Sequence, residues 1–245
     1  MKILLLVSEK CNILTFLKQY GEVTVFREKL DLLDSISYFD WIISYGYNHI
    51  IKESEIKQAK NPIINLHISY LPYNRGADPN FWSWIDDTPK GVSIHQVDEG
   101  IDTGPIYSRK IVEFGGEETL SSSYENLKNS IEDLFYCRFE DITKGRLLPF
   151  FPTEKGSFHL SKDLDKYRRL LYNDWNTPVK DLKKMTDLEI INEIENIRSK
   201  NNVNWMDVLR LAFKRSPNEA REIISRINTD DNKISSLLER LSKNT

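Results

Sequence analysis

Apolar residues recur along this chain with two different periods. Ile3 to Val7 is an unbroken apolar run; Val23 to Phe26, Trp41 to Ser44 and Ile63-Ile64-Asn65 read alike. Short runs of this kind belong to strands covered on both faces. Segments near 10–19 and 53–60 between them have helical character. The alternation predicts an α/β fold with a mostly parallel sheet and crossover helices. Gly91 to Val97 and Ile106 to Phe114 predict two more strands. Asp78 opens a helix whose first position is Pro79, where proline is tolerated. From Leu120 to Ile142, apolar residues at 120, 124, 127, 131, 134 and 135 have helical spacing.

The pattern changes after Pro149. Gly156 to Leu160 predicts a short strand or hairpin, and the remainder is polar and charge-rich. Thr186-Asp-Leu-Glu189 and Ser216-Pro217-Asn-Glu219 have the form of helix-opening capping boxes. Short amphipathic helices are expected near 204–214, 217–228 and 232–242. The chain therefore divides into an α/β domain over 1–150, a hairpin or linker over 151–185 and a helical extension over 186–245.

Composition narrows the partners. A chain of 245 residues with 40% hydrophobic content can bury a substantial core. Its net charge of −3 gives no basic excess, so nucleic acid is not an expected partner. No apolar stretch approaches the length of a membrane span. The N-terminal apolar run stops at Ser8-Glu9-Lys10 and reads as a buried strand rather than a signal core. Cys11 and Cys137 lie in apolar surroundings and read as buried, reduced thiols, which points to a cytoplasmic protein. No spaced Cys/His cluster suggests a metal.

The polar residues that apolar packing does not explain fall between 65 and 106. Asn65 and His67 sit at the carboxyl end of the fourth strand, the edge at which open α/β sheets bind ligands. Asp102 follows in a turn sequence, Asp102-Thr-Gly104-Pro105. An imidazole can take a proton near neutral pH, a carboxylate can orient it, and a carboxamide N–H can stabilise an oxyanion. No Gly-x-Ser-x-Gly nucleophile motif is present, so the nucleophile is expected to be the substrate's own amine attacking an acyl donor. Singly, Asn-x-His and Asp-x-Gly-Pro also read as ordinary turns. His95, alternating with Val92 and Ile94, reads as structural, as do His49 and His159.

Asn65-x-His67, Ser69-x-Leu71-Pro72, Arg75-Gly76 and Asp102-Thr-Gly104-Pro105-Ile106 together resemble the formyltransferases that use N10-formyltetrahydrofolate. The resemblance covers roughly residues 1 to 150. It implies a Rossmann-like domain, Asn65, His67 and Asp102 as the catalytic trio, and direct transfer with no covalent enzyme intermediate. It places the folate co-substrate at Gly46, Tyr47, Ile50, Val97, Asp98 and Glu99.

The stretch Arg75-Gly-Ala-Asp78-Pro-Asn80-Phe-Trp82 is similar to the branch acting on nucleotide-linked amino sugars. The implied acceptor is a dTDP-linked amino-dideoxyhexose, foremost dTDP-4-amino-4,6-dideoxyglucose, used for O-antigen or another surface polysaccharide. Lys10, Asn74, Arg75, Asp78, Asn80 and Trp82 are the implied acceptor contacts, and Tyr167, Tyr172 and Trp175 are candidates for stacking on the base. A homodimer is expected. Open alternatives are a 3-amino-3,6-dideoxyhexose acceptor, a purine precursor or aminoacyl-tRNA acceptor, and a non-catalytic nucleotide-sugar binder.

Overall fold

The structure is a computed structural model, and it describes residues 1–33, 35–182 and 214–243. The chain forms two compact units, Met1–Lys183 and Lys184–Thr245.

The first unit is built on a six-stranded sheet. Its strands are β1 (Lys2–Val7), β2 (Glu22–Phe26), β3 (Trp41–Tyr45), β4 (Ile64–His67), β6 (Gly91–Gln96) and β7 (Ile106–Ile111). The spatial order is β2-β1-β3-β4-β6-β7. The first four strands run parallel, while β6 and β7 join antiparallel. The helices are α1 (Ile13–Leu17), α2 (Glu53–Gln58), α3 (Pro79–Ile85) and α4 (Leu120–Thr143). The expected strands and helices all form, with ends displaced by a few residues.

The unbroken apolar runs follow from burial on both faces. Ile3, Leu5 and Val7 join a core cluster with Ile131, Phe135 and Phe139 of α4. Leu4 and Leu6 point the other way, into a cluster with Leu30, Ile36 and Phe39. Thr119 opens α4 as a cap: its Oγ1 accepts from the Ser122 N–H at 3.1 Å, and Ser122 Oγ accepts from the Thr119 N–H at 2.9 Å. Two expectations on this helix change. Tyr124 has helical core spacing but stays 44% exposed. Cys137 is exposed rather than buried, because it falls on the outer face of α4 between the buried Phe135 and Phe139.

A third cluster lies outside the sheet. Phe81 and Trp82 of α3 and Leu120 pack with Leu164, Val179 and Leu182. Residues beyond 150 thus complete the core of the first unit. Of the two forms expected around Gly156, the short strand is the one formed. β8 (Phe158–His159) pairs in parallel with β5 (Arg75–Gly76), within the loop that follows β4.

In the second unit the described element is α5, Pro217–Lys243. It is one helix where two were expected. The 228–232 stretch holds no Gly or Pro to break it, and Thr229 Oγ1 donates back to the Ser225 carbonyl at 2.9 Å. The helix expected near 204–214 and the capping box at Thr186 lie outside the described residues, the former but for its last residue.

Candidate active site

Strand alternation creates the site. Ile64 and Leu66 of β4, with Val92 and Ile94 of β6, enter the core against α4. Their alternates Asn65, His67, Ser93 and His95 share the opposite face. The antiparallel register sets Asn65 across from His95, and His67 across from Ser93. Ser93 is fully buried and anchors the next loop: its Oγ donates to the Ser69 carbonyl at 2.7 Å and accepts from the Leu71 N–H at 3.0 Å.

Asp102 arrives from the β6–β7 turn with φ 53°, a conformation Asp tolerates better than most residues. Two glycines permit the approach. A Cβ on Gly104 would lie 2.0 Å from the Gln96 carbonyl oxygen. At Gly76 φ is 90°, and a Cβ would lie 2.3 Å from the His159 carbonyl oxygen. The Gly76 N–H is thereby free to donate to Asp102 Oδ2 at 2.9 Å. Asn65 Nδ2 donates to Asp102 Oδ1 at 3.3 Å.

The buried His67 ring donates weakly from Nε2 to the Asn74 carbonyl, 3.4 Å away. Its Nδ1 faces Asp102 Oδ2 at 3.7 Å. Burial pushes the His67 pKa below its ordinary value, against the pull of Asp102. Burial also works against the charge on Asp102. The facing His67 and His95 and the Gly76 N–H outweigh it, and hold the carboxyl well below the usual range. At neutral pH the pair is therefore a neutral imidazole beside a carboxylate. A proton taken by His67 would form a cation already matched by Asp102.

These groups floor a cleft of about 510 Å³, a size suited to a small ligand. Gly46, Tyr47, Ile50, Val97, Asp98 and Glu99 all line it. So do His49 and His159, which sequence alone reads as bland. Asp98 also braces the turn, accepting from Thr103 Oγ1 at 2.6 Å and the Gly100 N–H at 3.1 Å. Asp78, Asn80, Tyr124 and Trp175 line an adjoining cavity of about 450 Å³, which shares Ile68, Pro79 and Tyr124 with the first.

The other expected acceptor contacts line neither space. Asn74 is fully buried; its Nδ2 donates to Thr88 Oγ1 at 2.7 Å and its Oδ1 accepts from Ser157 Oγ at 3.0 Å. Its side chain is buried and committed to bracing the loop. Trp82 is 3% exposed and stacks on His159, with ring centroids 4.0 Å apart. Asn80 lines the second cavity but is already bonded, donating to the Leu120 carbonyl at 2.9 Å and accepting from Ser123 Oγ at 3.0 Å. Arg75 donates to the Ser157 carbonyl, and Lys10 is exposed.

His95 is the residue that sequence reasoning missed. It is 2% exposed, and its Nε2 lies 3.0 Å from Asn65 Nδ2 and 3.4 Å from Asp102 Oδ1. The signal was its alternation with Val92 and Ile94, which places it on the face away from the core, as Asn65 is.

A mixed α/β sheet thus brings an amide, an imidazole and a carboxylate together at the floor of one cleft. The formyl transferase family model matches residues 12–136, half of the chain. The chain belongs to the formyl transferase family. The formyltransferase PseJ of Anoxybacillus kamchatkensis is 43% identical, with a TM-score of 0.71 over 74% of this chain and 97% of that one. Its structure is a complex with UDP-4,6-dideoxy-4-formamido-L-AltNAc and tetrahydrofolate. The dTDP-4-amino-4,6-dideoxyglucose formyltransferase of Mycobacterium bovis is 32% identical over 114 residues, 46% of this chain. The chain spans about half the length of that relative. A likely sugar N-formyltransferase from Mycobacterium tuberculosis, 22% identical, shares the fold with a TM-score of 0.62 over 80% of this chain and 87% of that one.

Proposed function

We propose that this protein transfers a formyl group from N10-formyltetrahydrofolate to the C4 amine of a nucleotide-linked 4-amino-4,6-dideoxyhexose. The observation that carries the reading is the convergence of Asn65, His67 and Asp102 on the floor of one cleft. The folate residues inferred from sequence line the walls of that cleft. Its size, with Tyr47 and Val97 on the walls and polar groups at the floor, suits a pterin-bearing donor. The donor supplies the formyl carbon.

The acceptor amine is the nucleophile. As its nitrogen bonds to the formyl carbon, Asn65 Nδ2–H donates to the oxygen that gains charge, a contribution of about 2.7–4 kcal/mol at comparable sites. His67 takes the proton that the attacking nitrogen sheds, and Asp102 stabilises the imidazolium. His67 then returns the proton to the departing N10 nitrogen as the carbon–nitrogen bond breaks, and the site is restored.

Two relatives support the C4 amine. The 32% identical protein is named for a 4-amino-4,6-dideoxyglucose, and the 43% identical one is in complex with a 4,6-dideoxy-4-formamido sugar nucleotide. dTDP is the nucleotide suggested by the Arg75 to Trp84 resemblance. UDP is the second reading, favoured by the relative that is more similar over nearly its whole length. Mass spectrometry of reactions with dTDP- and UDP-linked 4-amino sugars decides between them. Transfer to neither, with transfer to a 3-amino sugar instead, would overturn the C4 assignment.

A further inference from the structure

The Asn65 carboxamide must present N–H, not its oxygen, for the proposed reaction, and a carboxamide does not choose its orientation unaided. His95 supplies the shorter of the two contacts that make the choice, and Asp102 Oδ1 supplies the other. The His95 Nδ1 lies 2.8 Å from the carbonyl oxygen of Gln96, which can only accept. Nδ1 is therefore the donor nitrogen, which leaves the lone pair of the ring on Nε2. That lone pair is 3.0 Å from Asn65 Nδ2. Only the NH2 end of the carboxamide can satisfy it; the flipped amide would set two acceptors against each other and a carbonyl oxygen against Asp102. The backbone fixes the ring, and the ring, with Asp102, fixes the amide. His95 is 2% exposed, so solvent does not compete for either nitrogen. It is held by a register shift at Ile94/His95 and by the pairing that sets it across from Asn65.

The geometry points to His95 as the positioning residue for Asn65, anchoring one amide N–H so that the other is aimed at the developing oxyanion. The two N–H bonds of Asn65 are unequally engaged. The bond to His95 is the shorter at 3.0 Å, and the contact to Asp102 Oδ1 is long at 3.3 Å. The weaker one is the donor released to substrate. This role rests on the proposed formyl transfer, although the orientation of Asn65 does not.

Three variants separate positioning from packing. In His95→Gln, Oε1 occupies the place of Nε2 and can accept from Asn65. In His95→Asn, the shorter side chain reaches only the place of Nδ1, so the bond to Gln96 is kept and the acceptor for Asn65 is lost. His95→Leu loses both. The expected result is a kcat reduced on the order of 100-fold in His95→Asn and His95→Leu, with folate KM unchanged and substantial recovery in His95→Gln. The side-chain amide resonances of Asn65, assigned through Asn65→Asp, should shift in the Asn and Leu variants and hold in the Gln variant. Equal activity in His95→Asn and His95→Gln, or an Asn65 amide signal indifferent to all three, would overturn the inference. Absence of formyl transfer by the wild type would instead sink the functional reading; the amide resonances still decide the role of His95. If His95→Leu fails to fold, the Asn and Gln pair carries the same contrast.

Discussion

Two neighbouring stretches of this chain, 65–67 and 74–82, have opposite fates. Both mix polar and aromatic residues that look poised for ligands. At the end of β4, Asn65 and His67 alternate with Ile64 and Leu66, and the apolar pair is taken by the core against α4. The polar pair is left facing the cleft with Asp102. In the second stretch, Asn74, Asn80 and Trp82 turn inward. Asn74 braces the loop through Thr88 and Ser157, and Trp82 joins a core cluster with Leu164, Val179 and Leu182. A polar side chain is free for chemistry when the backbone already satisfies its surroundings; it becomes structure when a loop or a separate segment needs it as a partner.

The sharpest way to break this contrast is to truncate one residue from each side. His67→Ala should lower kcat/KM by roughly 10²–10⁴-fold with little change in melting temperature. Trp82→Ala should instead cost about 3–5 kcal/mol of stability, as for other buried aromatics, with acceptor KM preserved in the molecules that remain folded. A raised acceptor KM without loss of stability would put Trp82 back among the ligand contacts. Gly76 joins the two stretches. A Cβ there meets the His159 carbonyl at 2.3 Å and displaces the N–H that holds Asp102. Gly76→Ala should therefore reduce activity on the order of 100-fold, measured as kcat at saturating substrates.

The smallest effect is the pH dependence of the folded state. The folded pKa of His67 lies below its unfolded value, so the unfolded chain binds that proton first. Stability therefore falls as pH drops through about 6.5. Asp102 acts in the same direction at lower pH: its folded pKa is depressed, so its contribution is present above about 4 and lost on further acidification. Melting curves from pH 7 to pH 5 should show a loss that is reduced in His67→Gln. A variant as acid-sensitive as the wild type would contradict the neutral, buried imidazole.

How far the site was legible follows from the same contrast. Asn65, His67 and Asp102 stood out because a strand end between turn residues offers them no packing role. His95 was hidden by period-2 alternation, which announces two faces but not which one meets a ligand. Trp82 and Asn74 misled because their partners, Leu164 and Ser157, come from a segment far along the chain whose surface reads as polar. The parallel strands were legible from unbroken apolar runs. The pairing of β8 with β5 was not, since two residues at each site carry no pattern. The single helix Pro217–Lys243 read as two because its polar middle at 228–232 looks like a turn, although nothing in it stops a helix.

Product mass is the most direct test of formyl transfer at this cleft. Wild type and His67→Ala would be incubated with N10-formyltetrahydrofolate and nucleotide-linked 4-amino-4,6-dideoxyhexoses, and the sugar nucleotide weighed. Formyl transfer by this site predicts a gain of one formyl group, less the hydrogen it replaces, with the wild type, and almost none with a folded His67→Ala protein. Binding of both substrates by the wild type with no mass gain, or full transfer by His67→Ala, would contradict it.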